Sequence, residues 1–169
     1  VLLTIGGGAL ISLSLGRGEK EKANKAFTNI VIMGLVLSFV VSAFFIFFAE
    51  PLITACGAGN QSALHDLGVV YLRITAVGQF FHVMNLVLAG IIRAEGNTSY
   101  SMVVSVVGAL LNVALDAVFI IALGTGLPGA GVATAISQFV GAGISAMYFL
   151  RKKSALKWVG CKNTDIKMM

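Results

Sequence analysis

The sequence predicts an all-α fold, a polytopic bundle of membrane-spanning helices. Three observations carry the prediction. The 169 residues are 57% hydrophobic and 11% charged, with a mean hydropathy of +0.94, too little charge to coat a soluble core of this size. Four apolar stretches reach the roughly 20 residues that a helix needs to cross a bilayer. The connectors between them alternate strictly between basic and free of Lys or Arg.

The chain opens on Val1 and is apolar from the start, so residues 1–15 read as the end of a helix that begins upstream, in a longer protein. Basic residues follow this run instead of preceding it, which argues against a cleaved signal peptide. The spans are expected at 26–48, 68–92, 99–123 and 129–150. Between them lie a connector at 16–25, a loop at 49–67, a loop at 93–98 and a turn at 124–128, and a tail at 151–169 follows. Arg17, Lys20, Lys22 and Lys25 fill the first connector, Arg93 the third, and six more cations follow Leu150. Residues 49–67 and 124–128 contain no Lys or Arg. The positive-inside rule then puts the basic connectors in the cytoplasm and the others outside, in a multi-pass protein of the cell (inner) membrane. Arg73, just inside the outer end of its helix, is placed to snorkel.

The net charge of +5 does not point to nucleic acid, because ten of the twelve cations sit in the two flanking segments. Cys56 and Cys161 fall on opposite sides of the membrane, so no disulfide is expected. Ala133, Ser137, Gly141 and Ser145 recur every four residues along one helical face, the small-residue stripe by which membrane helices approach closely.

Asp116 is the exception in LLNVALDAVFII. An ionisable side chain within a span is costly and usually marks an ion path; the alternative is a packing residue hydrogen-bonded to a neighbouring helix. Asn112 lies one turn earlier on the same face. About seven residues, or roughly 10 Å of helix, separate Asp116 from the outer end. The short turn that follows makes the next helix an antiparallel neighbour. Counted from Gly126, Asp116 lies ten residues back and Asn112 fourteen, while Thr134, Ser137 and Gln138 lie eight, eleven and twelve forward. Carboxylate, amide and hydroxyl oxygens at one depth are hard donors, suited to sodium or to a carboxylate that takes up a proton, and unlike a zinc or copper site.

A second polar stripe, Thr75, Gln79, His82 and Asn85, runs along the helix 68–92. It suits either a polar cavity or interhelical hydrogen bonding. At RAEGN, Gly96 and Asn97 suit a helix stop, and Arg93 and Glu95 are placed to tie neighbouring loops together. No catalytic Ser/His/Asp set, HExxH or CxxC is present, so an enzyme is not expected.

The runs LGRGEKEKANKAF, IIRAEGN, LNVALDAVFI and GLPGAGVATAISQ together resemble the multidrug and toxic compound extrusion (MATE) family, in the order and spacing of its first half. The resemblance, closest to the branch like the DNA-damage-inducible F proteins, implies part of one six-helix lobe of a two-lobe transporter, from the end of helix two to the segment between lobes. It implies export of amphipathic, often cationic drugs against sodium or proton entry, with no cofactor beyond the coupling ion. Its partners would be the lipid bilayer, those drugs and a second lobe of the same chain, with no nucleic acid. The family's asparagine and aspartate of helix five match Asn112 and Asp116, and its helix-six threonine matches Thr134, as cation ligands; the helix-one aspartate has no counterpart in these residues. Gln79, His82, Asn85 and Gln138 are the expected lining of the drug cavity. The rivals are a lipid-linked saccharide flippase of the same superfamily, against which the scarcity of membrane-embedded cations counts, and a non-transporting membrane scaffold.

Overall fold

A computed structural model describes residues 2–57, 62–151, 154 and 156. It is a helical membrane bundle, with no strand among the described residues. In chain order the helices are α1 (Leu2–Gly16), α2 (Lys20–Phe47), α3 (Ala49–Ala55), α4 (Ser62–Ala94), α5 (Thr98–Asp116) and α6 (Gly126–Leu150). A π-helical turn, Ala117–Ala122, continues α5. The four long segments are α2, α4, α5 with its π turn, and α6, all apolar and long enough to cross a membrane.

Helix bounds differ from the hydropathy reading mainly where polar residues sit at helix ends. α2 begins at Lys20 and α4 at Ser62, because Lys, Glu and Ala are good helix formers whether or not they lie in lipid. The expected loop 49–67 is largely helix: α3 fills 49–55, and α4 already includes His65 and Asp66. α6 starts at Gly126, ahead of Pro128, whose missing N–H costs nothing in a first turn.

At the basic end, tight caps close two helices. Gly18 and Gly96 adopt φ of +75° and +90°. Asn97 N–H reaches Ile92 O at 3.1 Å and Gly96 N–H reaches Arg93 O at 2.9 Å, the paired bonds of a Schellman motif. Asn97 Oδ1 then accepts from Tyr100 N–H at 3.2 Å and caps α5, so RAEGN ends one helix and starts the next. Arg93 donates to Ser101 Oγ at 3.0 Å.

The apolar core lies toward this basic end. Ile11, Ala23, Phe27, Ile30, Val87, Leu88 and Ile91 pack together there, with Leu156 among them. α4 is the central helix, with α2 and α6 against it. The α4–α6 contact uses the small-residue stripe as expected: Ala133, Ser137, Gly141 and Ser145 are all buried. A Cβ built on Gly78 would lie 2.9 Å from the Ala135 Cα, so the two backbones nearly touch. Outward faces carry bare aliphatic and aromatic side chains, such as Phe39, Leu110, Val113 and Ile121. At the other end Arg73 does not simply snorkel: it donates to Glu50 of α3 at 2.9 Å.

Candidate functional site

Three helices line a half-open cavity of about 340 Å³ with several polar side chains on its wall. α4 contributes His82 and Asn85, α5 contributes Ser105 and Asn112, and α6 contributes Thr134, Ser137 and Gln138. Such a cavity exists because Gly108, Ala109 and Ser105 leave the α5 face short where α4 passes.

Asn112 Nδ2 and Thr134 Oγ1 meet at 3.4 Å, a long contact at the edge of hydrogen bonding. Counted from Gly126 these two differ by six residues, or about 9 Å of helix, so their contact is closer than the count implies. Asp116 follows one turn later, where the α-helix ends and the π turn begins. Its side chain is half-buried, and Oδ1 is enclosed with no hydrogen-bond partner among the described residues. A buried carboxylate oxygen without a donor is an expensive state for an anion, and it is relieved by a cation or a proton. Asp116 itself does not line the cavity wall.

The polar stripe on α4 divides. His82 and Asn85 face the cavity, whereas Thr75 and Gln79 line a separate crevice of about 130 Å³ with Phe45, Leu72 and Ala76. The reason is angular. At about 100° per residue, steps of four, three and three turn the stripe by +40°, −60° and −60°, so Gln79 and Asn85 end about 120° apart, while Thr75 and His82 stay within about 20° and are separated by roughly 10 Å along the axis. The spacing keeps neighbours together without keeping the ends together.

His82 Nδ1 lies 2.9 Å from Gln138 Oε1. An amide oxygen only accepts, so in this pairing the ring nitrogen is the donor. Asn85 Oδ1 accepts from Ser145 Oγ at 2.7 Å, a bond that holds α4 to α6 beside the cavity. Ser137 Oγ turns back to Thr134 O at 2.8 Å and is committed to its own helix.

Two features escape a hydropathy reading. The π turn after Asp116 has no sequence signal of its own, since AVFIIA is an ordinary apolar run. π-helical turns are rare and recur at functional sites, where they leave helix carbonyls without their usual donors. The second feature is the environment of Glu95: Ser154 Oγ and Leu156 N–H both donate to Oε1, and only the general idea of a loop tie was legible.

Comparison with known proteins agrees with this architecture. The MatE family model matches residues 1–118, which include Asn112 and Asp116. The chain belongs to the MatE family. It is 29% identical over 155 residues to the multidrug export protein MepA of Staphylococcus saprophyticus, covering 92% of this chain and 34% of that protein. Protein DETOXIFICATION 43 of Arabidopsis thaliana is 33% identical over 109 residues, 64% of this chain and 21% of its own length. Among solved structures, the inward-facing conformation of a multidrug resistance MATE family transporter of the MOP superfamily superposes with a TM-score of 0.80 at 32% identity, over 88% of this chain and 33% of that one. The chain thus spans about a third or less of the relatives it matches.

Proposed function

We propose that this MatE chain is the first-lobe part of a cation-coupled exporter of amphipathic, often cationic compounds, in a multi-pass protein of the cell membrane whose basic loops face the cytoplasm. The observation that carries the reading is the half-buried Asp116 carboxylate in an apolar helix, whose enclosed Oδ1 has no partner among the described residues, one turn from the Asn112–Thr134 contact. Sodium would take its oxygen donors from Asp116, Asn112 Oδ1 and Thr134 Oγ1. A proton would need only the carboxylate. Either neutralises the charge, so the ion favours whichever arrangement of the lobes encloses Asp116 most completely, and that preference couples ion entry to drug release. His82, Asn85 and Gln138 would contact the drug, with Gln79 on a neighbouring crevice.

Supporting the choice of MATE export over lipid-linked saccharide flipping, Arg73, just inside the outer end of its helix, is the one cation within the apolar spans read from the sequence, and Glu50 already engages it. The test is drug efflux by the full-length parent in everted vesicles, wild type against Asp116→Asn, with an imposed sodium or proton gradient. Loss of gradient-driven efflux in a folded mutant is the expected result, and the gradient that drives wild type names the ion. Efflux equal to wild type would make Asp116 a packing residue and remove the site.

A further inference from the structure

The chain beyond α6 does not simply leave the bundle. Ser154 Oγ donates to Glu95 Oε1, and Leu156 N–H is shared between that oxygen, at 3.1 Å, and Ser154 Oγ, at 3.0 Å. The Leu156 side chain is 6% exposed and packs into the core formed by α1, α2 and α4 at the basic end. Glu95 is itself the C-cap of α4, held in place by the Gly96–Asn97 motif. The last two turns of α6 are bolted down beside it: Tyr100 OH donates to Ile144 O at 3.0 Å, Tyr100 and Tyr148 rings lie 4.9 Å apart, and Phe149 stacks on Phe27 at 5.2 Å.

We propose that Glu95 is a positioning residue that clamps Ser154 and Leu156, which follow α6, onto the first lobe, so that these two residues move with that lobe. The proposal rests on the two-lobe reading above. Its physical content is local, however. Glu95 Oε1 accepts two hydrogen bonds, one from a backbone N–H, while Oε2 is enclosed without a partner among the described residues, and the buried leucine two residues after Ser154 makes the docking directional. A loop tip that merely capped a helix would need neither contact.

Trypsin tests it on full-length protein in everted membrane vesicles. Arg151, Lys152 and Lys153 precede Ser154 and Lys157 follows Leu156, while Arg17, Lys20, Lys22 and Lys25 form an internal reference on the same face. Cleavage in the folded state follows the population of the undocked segment. Glu95→Ala is expected to speed cutting at 151–157 by about tenfold relative to the reference sites, as loss of a hydrogen bond to a charged group would. Glu95→Gln, which keeps an acceptor for Leu156 N–H, falls between. Maximal drug efflux should drop at an unchanged half-saturating concentration, because the drug site is untouched.

Unchanged cutting in Glu95→Ala, or equal acceleration at both basic segments, overturns the clamp. Should Glu95→Ala fail to insert, Ser154→Ala carries the test, with an expected acceleration of about threefold and the same refuting outcomes. Cutting needs neither gradient nor drug, so a failed efflux reading leaves this one standing. Cleavage confined to right-side-out vesicles would instead refute the orientation, and the same comparison would be made there.

Discussion

Gly78→Ala offers a sharp test of how the bundle sets its cavity. The added methyl would sit 2.9 Å from the Ala135 Cα and 3.2 Å from its Cβ. Ordinary carbon contacts lie near 3.5–4.0 Å, so the helices must part by roughly 0.5–1 Å at that level. The atom met is backbone, which cannot swing aside. Overpacking of this kind costs about 1–3 kcal/mol, against a gain of up to about 1 kcal/mol for replacing a helical glycine. Gly143, inside α6, meets nothing within 4 Å, so Gly143→Ala should collect the helix gain alone. The two variants, chemically identical, should move the unfolding temperature of the purified full-length protein in opposite directions. A second readout follows from geometry. His82 lies one turn after Gly78 and Gln138 three residues after Ala135, so the same separation would stretch their 2.9 Å bond to the limit of hydrogen bonding. Drug affinity should therefore fall in Gly78→Ala and stay put in Gly143→Ala. Equal shifts of the same sign in both variants would refute the close α4–α6 approach and the cavity geometry built on it.

Other changes test the remaining contacts. Ser145→Ala leaves Asn85 without its donor and should destabilise the folded protein by about 0.6–1.7 kcal/mol, read by denaturation in detergent. Thr134→Ser keeps the oxygen facing Asn112 and should retain ion-driven efflux, while Thr134→Val should raise the sodium concentration needed for half-maximal drive if sodium is the coupling ion. Glu50→Gln, which weakens the exposed pair with Arg73, should change stability by less than about 1 kcal/mol, a difference that melting curves at low and high salt would bound. Gly96→Ala forces a side chain into φ +90° at the α4 cap and should cost about 1–2 kcal/mol in thermal stability.

The long spans were legible because lipid leaves a helix few alternatives, so hydropathy alone finds α2, α4, α5 and α6. Counting alone leaves Asn112 and Thr134 six residues apart in depth, and they meet because the 1.5 Å rise it assumes does not hold through the π turn and the connector 123–125. Gln79 and His82 parted company for a reason the same arithmetic contains, since three-residue steps drift steadily round a helix. What periodicity does not carry is anything that depends on the partner's surface. The enclosed oxygen of Asp116, the Glu50–Arg73 pair and the docking of Leu156 each arise from residues far apart in sequence. The π turn was illegible because a change of hydrogen-bond register leaves the apolar pattern untouched.

The packing of α5 has a consequence for how the cavity can change size. α4 and α6 are locked along their length by small residues and by the Ser145–Asn85 bond, whereas α5 leans chiefly on α6 and exposes Met102, Val106, Leu110 and Val113 on its far side. Two walls of the cavity therefore belong to one stiff unit, and the third is a single leaf held along one edge. Tilting that leaf would widen or narrow the space beside His82 and stretch or close the Asn112–Thr134 contact in the same stroke. Under the proposed function, the compartment for the drug and the grip on the ion would then share one moving part.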